Sequence, residues 1–514
     1  TGFKSGPGWS RIRLQVSMKF RILTAAALLL LAGLLLVLIQ PGGKNEGSDE
    51  ELRLHCAAGL RKPVSAIVEA YERQFGTRIQ VQFAGSGALA SQLEVAGGDL
   101  YFPADISYID LARQKGLLDE SIPVAWLTAG IAVGKGNPKG IQSLEDLTHE
   151  GITISLGNPS AAIGKFTRKV LEGAGVWSRV EPNVSVYKPT VNNVAEDVAL
   201  STVDAAIVWD AVAAQFEEVE FVNVPEFDAR RKTATIGVLS SSTNPTRALH
   251  FARFLSSTDQ GQPAFAREGF QVHPGADKWD PLPEITFFSG SMLRPAIEDQ
   301  LRAFQEREGV RISVIYEGCG TLVSQMKAGA RPDAYFSCDL EFLEQVQDRF
   351  EEGTIVTSNE IVLLVPKGNP RQLAGPSDLL QQELKVGLSD PKKSALGFLT
   401  RKLLQELNLY RELQANGNVI VLASKGDELV NQMQLGALDA ALLYRSNAMA
   451  SPQIMEHCEI VALNQTSALA TQPYAVHRNS KHKQLMNRLR EFLTDDEGKG
   501  NFLQYGFHWK MDGE

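Results

Sequence analysis

The stretch FAGSGALASQL, Phe83 to Leu93, ends an apolar, strand-like run in Gly85-Ser86-Gly87 and passes at once into a helical pattern. A helix N-terminus carries N–H groups with no partner in their own helix and about half a positive charge. Glycines let an anion approach that backbone, and a serine caps the helix or donates its hydroxyl. Such a junction could hold a small anion without a charged side chain. Alone it is equally an N-cap in a tight turn. YEGCGTLVSQM, Tyr316 to Met326, repeats the pattern 233 residues later, with Cys319 where Ser86 stood.

Three further junctions of this kind accompany the first. Ala57-Ala58-Gly59-Leu60 opens a helix after the strand LRLHC. LGNPSAAIGKF leads through small residues into another helix, and KPTVNNVAEDV sets Asn192 and Asn193 before a fourth. Each alone reads as a capped surface turn. Four in one domain, present twice, point to a common cleft. AAIGKF is no P-loop, because Pro159 and Phe166 stand where Gly and Ser/Thr are needed.

Other chemistry finds little support. The eight histidines show no HxxxH spacing and the four cysteines no CxxC, so no zinc or other cation site is expected, and no cofactor. No GxSxG elbow or other catalytic set appears, and no enzymatic activity is expected. Asp99, Asp105, Asp333 and Asp339 read as caps at strand ends and helix starts. Cys319 and Cys338 both fall where strands should end at the second cleft. That leaves open a reactive thiol or a disulfide there.

The elements that position these junctions come from a long repeat. LRLHCAAGLRKPVSAIVEAYERQFGTRIQV from Leu52 aligns without a gap on ITFFSGSMLRPAIEDQLRAFQEREGVRISV from Ile285. VGKGNP at Val133 is echoed by VPKGNP at Val365, and VDAAIVW at Val203 by LDAALLY at Leu438. Each copy alternates β-rich runs with helical patterns, which argues a parallel α/β sheet with ligands at the carboxyl ends of its strands. The expected domains are 51–273 and 285–512, with the Pro- and Gly-containing segment 274–284 as an exposed linker.

The chain has 514 residues and a net charge of −9 with no basic stripe, so nucleic acid is not an expected partner. Residues 22–40 are almost wholly apolar and follow Arg11, Arg13, Lys19 and Arg21. This predicts a transmembrane anchor or uncleaved signal, with 1–21 as a cytoplasmic stub and the remainder on the extracytoplasmic face. A cleaved signal is the alternative. Met18 makes a natural start.

With AAGL, SGALASQLE, PADISYID, VGKGNPKGIQSLEDL, GNPSAAIGKF and DAAIVW in hand, both copies resemble the molybdate-binding, substrate-binding protein family of ABC importers. The resemblance implies two tandem type II periplasmic-binding-protein domains, each of two α/β lobes around a central cleft that closes on a tetrahedral oxyanion. It implies an importer permease as partner and neutral hydroxyl and N–H donors. By position these donors fall at Ala58, Gly59, Ser86, Gly87, Ile163, Val191 and Trp209 in the first domain. In the second they fall at Ser291, Met292, Cys319, Gly320, Leu396, Gly426 and Tyr444. Gly59 replaces the family's serine and Trp209 its tyrosine, whereas Tyr444 keeps the tyrosine and Cys319 is a poor donor. The first domain is therefore the expected anion site. The expected function is capture of molybdate or tungstate for an importer. The alternatives are sulfate or another oxyanion, or a sensory or scaffolding ectodomain.

Overall fold

The computed structural model describes residues 1–2 and 51–511, apart from 451, 464, 466 and 467. The anticipated membrane segment, and all but two residues of the stub before it, lie outside the described residues. Among the described residues no helix is long and apolar enough to cross a membrane.

In the first domain the strands are β1 (Glu51–Ala57), β2 (Arg78–Ala84), β3 (Leu100–Phe102), β4 (Leu118–Leu127), β5 (Ala129–Gly134), β6 (Ile154–Gly157), β7 (Val184–Lys188), β8 (Ala205–Trp209), β9 (Val219–Val222), β10 (Lys232–Leu239) and β11 (Gln271–Val272). They form two sheets, in the orders β11-β4-β10-β3-β1-β2 and β7-β6-β8-β5-β9. Each sheet is the centre of one lobe. The chain crosses between lobes twice, from β4 into β5 at Thr128 and from β9 back to β10. Parallel pairing of β1 with β3, and of β6 with β7 and β8, aims their carboxyl ends at the space between the lobes.

The second domain repeats the plan with β12 (Glu284–Gly290), β13 (Arg311–Glu317), β14 (Ala334–Phe336), β15 (Thr354–Pro366), β16 (Val386–Ser389), β17 (Val419–Ala423), β18 (Ala440–Tyr444), β19 (Cys458–Ala462), β20 (Leu469–Val476) and β21 (His508–Trp509). Here β15 runs unbroken through both lobes. Its first half pairs with β20 and its second with β18 and β19.

Buried runs such as Ala205–Trp209 and Ala440–Tyr444 are apolar throughout, as strands covered on both faces require. Tyr71, Phe166, Trp177 and Phe254 are buried in the core, and Phe75 packs against it partly exposed.

The linker departs from the free connector expected. Asp277 accepts the amides of Gln484 (2.9 Å) and Leu485 (3.0 Å) and so caps the helix Lys483–Leu493 of the second domain. Trp279 packs edge-on against His250 and Phe254. Polar composition did not reveal this, because the anchoring partners lie far along the chain.

Candidate functional site

The first cleft closes on a cavity of about 20 Å³. Room for one water takes roughly 10–15 Å³, so the space left between the lobes is small. One lobe contributes Ala58, Gly59, Ser86 and Ala104; the other contributes Ile163, Thr190, Val191 and Trp209. No lining side chain carries a charge. The helices Ser86–Ala96, Ala162–Gly173 and Val191–Ala199 all begin here. Their first-turn N–H groups have no acceptor within their own helices, and their dipoles favour negative charge.

Six of the seven positions expected in this domain line the cavity: Ala58, Gly59, Ser86, Ile163, Val191 and Trp209. Gly87 instead gives its N–H to Ser160 O at 2.9 Å, a bond from one lobe to the other. An added Cβ at Gly87 would stand 2.4 Å from that carbonyl, so only glycine permits the contact.

Ser86 is the first helical residue, and Gly85 holds the N-cap position without a side-chain cap. The capping role considered for Ser86 is thus not the one it has. Its Oγ accepts the Ala104 amide at 3.2 Å, which leaves the hydroxyl proton to donate to a guest. Ala104 gave no signal in the sequence, because its contribution is backbone. At the fourth junction Thr190 is the N-cap, accepting from Asn193 N at 3.3 Å. Asn192 and Asn193 therefore lie inside the helix and not before it.

Gly59 has a steric reason. A Cβ there would meet Val191 Cγ1 at 2.9 Å and Val212 Cγ2 at 3.2 Å, with Trp209 Cδ1 at 3.8 Å. A serine side chain here would be crowded by Val191 and Val212, whereas Trp209, stacked on Phe166 at 5.7 Å, lies at ordinary contact distance. Lys232, behind the cleft, is already paired with Asp105 at 3.0 Å. The four aspartates act as caps: Asp99 on Arg53 N, Asp105 on Ser107 N, Asp333 on Thr286 N and Asp339 on Glu341 N.

The second cleft has the same frame. Ser291 and Met292 lie on the turn after β12, Cys319 and Gly320 begin the helix Cys319–Lys327, and Leu396 lies in the first turn of Ala395–Glu406. Gly426 begins Gly426–Gln434 and Tyr444 ends β18; all seven expected residues are buried. Cys319 Sγ accepts the Cys338 amide at 3.0 Å, the counterpart of Ser86 and Ala104. Thr321 N bonds Lys393 O at 3.1 Å across the lobes. The Tyr444 hydroxyl is buried with no hydrogen-bond partner among the described residues. Cys319 and Cys338 are free thiols, so no disulfide spans this cleft.

Known proteins match this arrangement domain by domain. A putative binding protein of Haemophilus influenzae is 28% identical over 223 residues, 43% of this chain and 90% of its own length. The molybdate-binding protein ModA of Mycobacterium bovis is 28% identical over 235 residues, 45% of this chain and 87% of its own. Among solved structures, the substrate binding domain of a putative molybdenum ABC transporter from Clostridium difficile aligns at 21% identity with a TM-score of 0.35, covering 45% of this chain and 99% of that one. The bacterial extracellular solute-binding protein family matches residues 52–271 and again 285–508. The chain belongs to that family, as a solute-binding protein of the ABC-importer type with the domain present twice.

Proposed function

We propose that the first cleft captures a tetrahedral oxyanion of the molybdate class and that the closed domain delivers it to an importer permease. The observation that carries this is the uncharged cavity of about 20 Å³ faced by three helix N-termini and the Ser86 hydroxyl. Neutral donors on two lobes suit a small dianion, which draws the lobes together by bridging them. Relatives named for molybdate span nearly a whole domain of this length, which supports that anion over sulfate. The apolar segment 22–40 would hold the domains at the extracytoplasmic face and raise their concentration at the permease.

Calorimetry of the full chain with molybdate, tungstate, sulfate and phosphate tests this. Ser86→Ala is expected to weaken binding of the preferred anion by about 5- to 150-fold, the loss of one donor worth roughly 1–3 kcal/mol. Unchanged affinity in that variant, or no heat from any of the four anions, refutes the proposal.

A further inference from the structure

The repeat permits a position-by-position comparison of the clefts. Ala57, Gly59, Ser86 and Ala104 line the first cavity. Their counterparts in the second domain are Gly290, Met292, Cys319 and Cys338. Three of the four carry sulfur, and the fourth has given up its Cβ. A Cβ at Gly290 would stand 2.2 Å from Cys338 Sγ and 3.2 Å from Cys319 Sγ. The loss of the methyl thus makes room for a thiol and sets both sulfurs around one point. Met292, Cys319 and Cys338 are 1%, 0% and 5% exposed.

We infer that the second cleft is a site for a soft monovalent metal ion of the copper(I) class, held by Cys319, Cys338 and Met292. Thiolate and thioether ligands select such ions. Zinc would need a fourth ligand, and among the described residues no histidine or free carboxylate supplies one: Asp339 is engaged with the amides of Glu341 (3.1 Å) and Thr471 (3.1 Å). The Tyr444 hydroxyl, also at this cleft, is buried without a hydrogen-bond partner among the described residues. Loading releases the two thiol protons to water, and the metal keeps its oxidation state.

This inference is independent of the oxyanion reading of the first cleft. Its test is an anaerobic titration of the reduced full chain with copper(I) against a colorimetric copper(I) chelator. One equivalent should leave the chelator, with sulfur-to-copper absorption in the near ultraviolet. Cys319→Ser with Cys338→Ala installs the first domain's residues at those positions and should lower affinity by about 100-fold or more. Met292→Leu should lower it by roughly 10-fold. Cys56→Ala and Cys458→Ala should leave the titration unchanged, and thermal unfolding of each variant checks that it folds. Full copper(I) uptake by the folded Cys319→Ser/Cys338→Ala variant overturns the inference. So does a reduced wild-type chain that takes no copper(I) from the chelator.

Discussion

At the scale of single residues, what matters is which polar atoms the fold has already used. Ser86 Oγ is held from behind by the Ala104 amide, so its rotamer is set before any guest arrives. His250 shows the opposite economy. Its Nδ1 lies 2.7 Å from the Tyr71 hydroxyl, and its ring is boxed by Phe75 and Trp279. Burial, with Arg253 and Arg247 nearby, lowers it to about 4. A histidine kept neutral in the fold binds a proton more readily unfolded, so stability is lost as pH falls from about 6.5 toward 4. Discounted for partial exposure, the loss is about 2 kcal/mol. Denaturant titrations at pH 7 and pH 4.5 should show this difference in the native chain and a smaller one in His250→Gln.

At the scale of elements, the clefts are closed by helix starts meeting loops of the opposite lobe. In the first domain Gly87 N holds Ser160 O, and in the second Thr321 N holds Lys393 O. Gly87→Ala would push a methyl against the Ser160 carbonyl, an overpacking of about 1–3 kcal/mol that falls only on the closed form. Molybdate affinity should drop roughly 5- to 150-fold, and small-angle scattering should no longer show compaction on adding the anion. The junctions, the repeat and the alternation of strand and helix were all legible in the sequence, because each is local or periodic. The fourth helix start was expected after Asn193, three residues beyond its Thr190 cap, since Thr190, Asn192 and Asn193 all carry capping chemistry. Cleft sulfurs at Met292, Cys319 and Cys338 were readable one at a time, but the room that Gly290 makes for the two thiols needed coordinates.

At the scale of the whole molecule, the two domains share a buried ionic joint that no sequence pattern announced. Glu308 is 1% exposed and receives Arg253 Nη1 at 3.0 Å and Arg488 Nη2 at 3.1 Å. Arg488 Nη1 lies 2.7 Å from its other oxygen, as a charge contact outside hydrogen-bond alignment. Arg307 adds a pair with Glu120, Nε to Oε1 at 2.6 Å. Glu308→Ala would leave two buried guanidinium groups without their carboxylate, at a cost of about 3–5 kcal/mol. Scanning calorimetry should then resolve two transitions where the native chain gives one. Arg253 lies on the helix Pro245–Ser256 packed on β4 and β10, and Glu120 lies in β4 itself. Glu308 ends the helix Arg294–Glu308, and Arg488 lies on Lys483–Leu493, packed on β20. The Arg253–Glu308 and Arg307–Glu120 bonds therefore join the β1–β4 lobe of one domain to the β12–β14 lobe of the other, and Arg488 braces Glu308 from within the latter. None of the residues of this joint lies in the other two lobes, so a rotation of either of those lobes would leave the hinge between the domains as it is, a fixed keel under whatever moves above it.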